Sequence, residues 1–182
     1  MSLTFLLLTL VPIIAFAIAD AMAGLKTGVI VAIVLSVALC AVNWIILGKF
    51  DPISLIEPVF FIILGLISLH LKNSIWFKFQ PVVVNVLSAL LLAGFQIWSE
   101  PFLVRWAPAM DKLMPPENQG FLVSPLILQK LSLISHVLIY VLLLHAFWVG
   151  WAALKRSTWF WTAVRLAGYP LLLGAVVICM LV

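Results

Sequence analysis

Apolar residues dominate six stretches of the chain, and polar or helix-breaking residues separate these stretches. The six stretches are residues 3–19, 29–47, 53–69, 82–98, 131–154 and 160–182. Each is close to the length of about 20 residues that a helix needs to cross the hydrocarbon core of a bilayer. Since backbone groups in lipid must be satisfied within the segment, we expect all six to be helices.

The connection over residues 99–130 is much longer than the others, and it carries a different pattern. Its apolar residues recur at steps of three and four, namely Phe102, Leu103, Trp106, Met110, Leu113 and Met114. This spacing predicts a short amphipathic helix that lies in the membrane interface, with Pro115 and Pro116 ending it. A docking surface for a partner protein is the alternative that the pattern leaves open.

The predicted fold is therefore all-α, a polytopic integral membrane bundle of about six transmembrane helices with a short interfacial helix in the fourth connection. We expect residues 1–182 to form a single transmembrane domain. The composition agrees, because 66% of the residues are hydrophobic, 9% are charged and the mean hydropathy is +1.30. Soluble domains are about 45–50% apolar and 25% charged, so a soluble globule and a disordered chain are excluded.

The net charge of +4 changes this picture little. The ten lysines and arginines are scattered, whereas a nucleic-acid site needs clustered cations, so we expect no nucleic-acid partner. In the predicted topology, the side that holds both termini carries four of the connecting lysines and arginines and the other side carries five. This count is too balanced to give the orientation by the positive-inside rule.

Four polar residues within or beside the apolar stretches are candidates for a site inside the membrane: Glu57, Arg165, Asp20 and Asn85. Ionisable groups at membrane depth are costly unless they are paired or solvated. Glu57 either holds a proton or cation in a transporter, or is protonated or paired with a nearby cation. Arg165 either extends to the interface or pairs with Glu57 or Asp20. Asn85 is expected to hydrogen-bond between helices.

Tryptophans mark the predicted ends of the spans. Those near a span end are Trp44, Trp76, Trp98, Trp106, Trp151, Trp159 and Trp161. Because an indole ring prefers the headgroup region, this placement predicts an interfacial aromatic belt.

The sequence offers no catalytic residue, metal ligand set or cofactor motif. His136 and His145 are nine residues apart, which places them on opposite faces of one helix. No nucleophile elbow, phosphate-binding loop or glycine fingerprint is present. We therefore expect no enzyme, no metal and no cofactor.

The stretch from Trp76 to Asn85 resembles a motif of the intracellular septation protein A family, the inner-membrane-spanning septation proteins. Lys78, Phe79, Pro81 and Asn85 match the family pattern, Gln80 stands where lysine is usual, and Val82 stands where threonine is usual. Physically, a lysine flanked by aromatic rings is an interfacial anchor. The lipid-headgroup or anchor candidates are Lys78, Trp76, Phe79 and Gln80.

Two further elements resemble the same family. The stretch from Trp161 to Gly168 is similar to its Trp-x-x-Phe-Lys-x-Phe-Gly element, with Arg165 in place of lysine. Pro12 and Phe16 fit its opening Pro-x-x-x-Phe.

The resemblance implies a multi-pass protein of the bacterial inner membrane with a role in envelope biogenesis, envelope integrity and septation. Such a protein would act through membrane lipids or through division or elongation proteins, and a homo-oligomer stays open. The alternative is a small transporter or channel for a lipid or small solute that uses Glu57 and Arg165.

Overall fold

The computed structural model describes the backbone of residues 3–47, 56–112, 114–155 and 157–182. It describes the side chains of residues 11–42, 45, 59–112, 114–155 and 157–182. The described residues form eight α-helices and one short 3₁₀ helix, Pro116–Asn118, and include no strand. The helices are α1 (Leu3–Ala23), α2 (Leu25–Leu47), α3 (Ile56–His70), α4 (Ile75–Lys78), α5 (Gln80–Trp98), α6 (Phe102–Asp111), α7 (Pro125–Lys155) and α8 (Thr158–Leu181).

Four described segments are long and apolar enough to cross a membrane. They are Leu25–Val42, Ile75–Trp98, Pro125–Lys155 and Thr158–Leu181. Two shorter apolar segments, Val11–Ala23 and Val59–His70, lie in α1 and α3 where the first and third spans were predicted. The prediction of an all-α polytopic membrane protein is confirmed.

Several boundaries differ from the predicted ones, and two of these lie at proline residues. Pro125 begins α7 six residues before the predicted start of the fifth span, and Pro81 is the second residue of α5. Proline suits the first turn of a helix because its missing N–H group would have no partner there. The fourth helix, α4, lies in the predicted connection between the third and fourth spans.

The predicted short helix after the fourth span is present as α6. It ends at Asp111, which is four residues before the first of the two prolines expected to end it. Ala107 and Asp111 form its buried side, while Trp106 and Met110 are exposed. An exposed apolar side suits a helix in the membrane interface, and that location stays a prediction.

The chain divides into two compact units. Unit 1 comprises Met1–Pro81 and Trp148–Leu166, and unit 2 comprises Val82–Phe147 and Ala167–Val182. The single-domain prediction for residues 1–182 is not tested by this division and stays a prediction.

Unit 1 contains the first three helices packed in sequence order, α1 against α2 and α2 against α3. A one-residue turn joins α1 to α2 at Gly24, whose φ of +81° is a conformation that side chains strongly disfavour. Its N–H donates to the carbonyl of Asp20 at 3.0 Å and so closes the end of α1. Asp20 is therefore held at the end of unit 1 where α1 turns into α2.

Candidate functional site

A buried aromatic cluster forms the core of unit 1. Its members are Phe16 from α1, Phe61 from α3, Phe77 from α4 and Trp161 from α8, all fully or almost fully buried. The ring centroids of Phe16 and Phe77 are 4.3 Å apart, and those of Phe61 and Phe77 are 5.4 Å apart. Trp161 meets Phe16 edge to face at 5.8 Å. One cluster thus holds four helices together through large apolar surfaces.

Arg165 packs against this cluster, inside unit 1. Its guanidinium carbon lies 5.4 Å from the centroid of the Phe61 ring and 5.6 Å from that of the Trp161 ring. Only 6% of the residue is exposed. An arginine over aromatic faces gains cation–π attraction, which grows when water is excluded. Of the alternatives left open by the sequence, this burial favours a place inside the protein over extension to the interface.

Lys78 lies at the other edge of the cluster, at the end of α4. The residue is 6% exposed, and its backbone carbonyl accepts a hydrogen bond of 3.0 Å from the indole Nε1–H of Trp161. Its ammonium group is attracted by the carboxylate of Asp20. The lysine therefore contacts the interior of unit 1, and its predicted role in binding a lipid headgroup stays a prediction.

Asp20 joins α1 to α8. Its carboxylate accepts a hydrogen bond of 2.7 Å from the hydroxyl group of Thr158, the first residue of α8. Thr158 precedes Trp161 by three residues and Arg165 by seven, so the three lie on one face of α8. Three of the predicted polar residues, Asp20, Lys78 and Arg165, therefore belong to unit 1.

The other anchor candidates differ in exposure. Trp76 is 44% exposed, and Phe79 is half-buried. Gln80 is 2% exposed, and its side-chain Oε1 has no hydrogen-bond partner within the described part of the chain. A buried hydrogen-bond acceptor without a donor lowers the stability of the folded protein. Gln80 therefore places an unsatisfied polar group in the interior of unit 1. The side chain of Glu57 lies outside the described residues.

Asn85 belongs to a separate polar contact in unit 2. Its side-chain Nδ2 donates to Nδ1 of His145 at 2.9 Å, and this histidine is buried. The imidazole ring also lies against the backbone of Gly168: a Cβ atom on that glycine would be 2.3 Å from Cε1 of His145. Only glycine permits this approach without a shift. Asn85 thus makes the hydrogen bond between helices that the sequence predicted.

Several of these partners were not among the predicted site residues. Trp161 was predicted to lie in the interfacial belt, and that is wrong, because the residue is fully buried. Trp76, Trp98, Trp106, Trp151 and Trp159 are each at least two-fifths exposed, as a belt requires. The spacing of Trp161, Arg165 and Gly168 contained a signal, since steps of four and three place them on one helix face. Within the described residues, no group of three or more His, Cys, Asp or Glu is placed to hold a metal ion.

The described residues define a multi-pass helical membrane protein in which buried polar side chains join the helices. The family model for intracellular septation protein A matches residues 5–182, and the chain belongs to that family.

Curated relatives include the inner membrane-spanning protein YciB of Coxiella burnetii strains Dugway 5J108-111 and RSA 493 / Nine Mile phase I. Each is 30% identical over 93 residues. The match covers 51% of this chain and 51% of each relative, about half the length of the curated relatives. The predicted multi-pass inner-membrane location is confirmed. No solved structure matches the chain significantly.

Proposed function

We propose that the protein supports biogenesis, integrity and septation of the bacterial cell envelope through contacts with protein or lipid, and that it is not an enzyme. One observation carries this proposal. The two segments that resemble the family motifs are joined in the interior of unit 1 by the hydrogen bond from Trp161 to the carbonyl of Lys78. Polar groups in these segments hold helices together, which suits a protein that acts as a scaffold.

The burial of the same groups supports this choice over catalysis. Lys78, Gln80 and Arg165 are each at least nine-tenths buried. A catalytic group must lie within hydrogen-bonding reach of its substrate. Side chains buried in the interior of unit 1 favour a structural role over turnover of a soluble substrate.

A complementation experiment tests the proposal. Cells that lack the native copy should show irregular septum spacing and increased entry of an impermeant dye, and the wild-type chain should restore both. Trp161→Phe, which keeps an aromatic ring and removes the N–H donor, should restore them only in part. Trp159→Phe is the matched control, because Trp159 lies two residues away on α8 and is 53% exposed.

Two results would contradict the proposal. Normal septa and normal dye exclusion in cells without the protein would remove the envelope role. Full restoration by Trp161→Phe at wild-type protein levels would show that the envelope role does not depend on the hydrogen bond between the two segments.

The partner is identified by crosslinking from α6. A photoreactive amino acid in place of Trp106, which is exposed, should form adducts with division or elongation proteins in intact cells. Adducts with lipid alone would contradict action through these proteins. The protein would then act through contacts with lipid. The same substitution at Ala107, which is buried, is the matched control and should form few adducts.

A second candidate function is transport of a lipid or small solute, and the placement of Arg165 favours it. A buried cation in a membrane-length helix is a common feature of transport pathways. Phe61, whose ring contacts Arg165, follows Glu57 by four residues in α3, so the two positions share one helix face. Proteoliposomes that carry fluorescently labelled phospholipid should then show transfer between leaflets that Arg165→Gln abolishes. Equal transfer in protein-free vesicles would exclude lipid transport.

A further inference from the structure

Three lysines at the ends of helices in unit 1 are exposed. They are Lys26 in the first turn of α2, Lys72 just after α3 and Lys155 at the end of α7. None of the three ammonium groups has a hydrogen-bond or ion-pair partner among the side chains that the structure describes, and Lys72 has a φ of +51°. Such left-handed backbone is uncommon for a residue other than glycine.

Hydrogen bonds within unit 1 place these three lysines at the same end. Asp20 at the end of α1 accepts a hydrogen bond from Thr158 at the start of α8, and Trp161, three residues further along α8, donates to the carbonyl of Lys78 at the end of α4. Lys26 follows Asp20 by six residues, Lys72 precedes Lys78 by six, and Lys155 precedes Thr158 by three. The three connections that carry the lysines therefore meet at one end, which we call the basic end.

The exposed charge of the basic end is positive. Its one described carboxylate, Asp20, is half-buried, accepts a hydrogen bond from Thr158 and attracts the ammonium group of the buried Lys78. It is thus occupied inside unit 1. The ammonium groups of Lys26, Lys72 and Lys155 consequently face the surroundings of the protein without a compensating carboxylate.

The cations after α5 are arranged differently. Arg105 donates to the hydroxyl group of Ser99 and lies over the Phe95 ring, and Lys130 donates to a backbone carbonyl at the end of α8. Lys112 is exposed, but so are two carboxylates in the same connection, Glu100 and Glu117. The described cations after α5 thus have hydrogen-bond partners or exposed carboxylates in the same connection, which the three lysines of the basic end lack among the described side chains.

We propose that Lys26, Lys72 and Lys155 form a docking surface for the headgroups of anionic phospholipids in the cytoplasmic leaflet. The occupant follows from charge complementarity: exposed ammonium groups beside membrane-length helices meet headgroup phosphates, and a cytoplasmic leaflet has a negative surface potential. This surface is separate from the buried groups that carry the proposed function, so either proposal can fail alone.

The test measures which lipids stay with the purified full-length protein. The protein is reconstituted in equal parts of phosphatidylglycerol and phosphatidylcholine, extracted in mild detergent and analysed for retained lipid by mass spectrometry. The wild type should retain phosphatidylglycerol in excess. A variant with Lys26→Gln, Lys72→Gln and Lys155→Gln should lose most of that excess, because one lysine near an anionic surface contributes roughly fivefold to the partition.

Two controls separate a built surface from a general effect of charge. Lys112→Gln removes one exposed cation beyond α5 and should leave the excess unchanged, whereas Lys72→Gln should reduce it. Replacing the three lysines by arginine keeps the charge and should preserve the excess. Because all these side chains are exposed, we expect every variant to fold, and unchanged thermal unfolding in detergent verifies it.

Three outcomes would overturn the proposal. Equal retention of phosphatidylglycerol by the wild type and the triple variant would show that the lysines bind no anionic lipid. An equal loss of retained phosphatidylglycerol with Lys112→Gln would show that the retention depends on net charge and not on these three positions. Displacement of the lipid by inorganic phosphate as effectively as by added phosphatidylglycerol would assign the surface to a free anion.

Discussion

The two units accommodate buried polar groups in different ways. Unit 1 encloses two cations, Lys78 and Arg165, which it holds with aromatic rings and the carboxylate of Asp20. In unit 2, the buried contact between α5 and α7 joins the amide of Asn85 to the imidazole ring of His145. Burying a charge costs far more than burying a neutral group that is hydrogen-bonded. Unit 1 therefore depends on where its charges lie, and unit 2 on how closely its helices approach.

Gly168→Ala tests the dependence of unit 2 on close approach, and it should have the largest effect. The new methyl group would lie 2.3 Å from the ring of His145, so the ring must move and the bond to Asn85 must weaken. Overpacking of this kind costs about 1–3 kcal/mol. We expect thermal unfolding in detergent at a clearly lower temperature. Gly174→Ala in the same helix is the control, since no atom lies within 4 Å of its added methyl group. Equal unfolding temperatures for the two variants would contradict the close contact.

Trp161→Phe tests the contact between the two motif segments in unit 1. The change removes the donor to the carbonyl of Lys78 and leaves a gap beside Phe16. Loss of a partner for a buried polar group costs about 1–3 kcal/mol, and we expect the lower half of that range because the ring is retained. Chemical denaturation followed by tryptophan fluorescence measures the change. Trp159→Phe should leave the free energy of unfolding nearly unchanged. An equal loss of stability in that control would show that the bond from Trp161 to Lys78 is not the cause.

Asp20→Asn changes charge with almost no change in shape, so it should affect unit 1 alone. The amide can still accept the hydrogen bond from Thr158, but it no longer attracts the ammonium group of Lys78. The expected loss is about 1 kcal/mol, because Asp20 is only half-buried. A double-mutant cycle with Lys78→Met isolates the electrostatic part. Additive effects of the two substitutions would show that the two groups do not interact.

Asp111→Asn should have the smallest effect, confined to a connection of unit 2. The carboxylate accepts hydrogen bonds from the backbone N–H groups of Gly120 at 2.7 Å and Leu122 at 2.9 Å. An asparagine has one carbonyl oxygen and can keep one of the two bonds. We expect faster hydrogen exchange at one of these two amides and a loss of under about 1 kcal/mol in global stability. Unchanged exchange at both amides would mean that the carboxylate does not order this connection.

The sequence predicted the helical class and most helices because the bilayer imposes a length and a hydropathy on each span. It also identified Asp20, Lys78, Asn85 and Arg165, since polar groups stand out in an apolar stretch. It did not identify their partners. Phe61, His145 and Thr158 are unremarkable in the sequence, because a contact between distant residues depends on helix rotation and not on local pattern.

The tryptophans illustrate the same limit. Proximity to the end of a span predicts an exposed, interfacial position. Trp76 and Trp159 are exposed, as this predicts. It fails for Trp161, which is fully buried and packs edge to face against Phe16 of α1. Position along the chain gives depth in the membrane, whereas the facing direction around the helix depends on which neighbours pack against it.

The amino-acid sequence by itself thus determined that this is a helical, multi-pass inner-membrane protein of the septation protein A family. It also determined where its few charged residues lie along the predicted spans. Only the tertiary structure decided which charges are enclosed and which are exposed. Lys78 and Arg165 are buried inside unit 1, where Arg165 packs against the rings of Phe61 and Trp161, while Lys26, Lys72 and Lys155 stay exposed at the basic end. The physical reason is that hydropathy depends on each residue alone, but the burial of a charge depends on the aromatic faces and carboxylates that other helices bring to it.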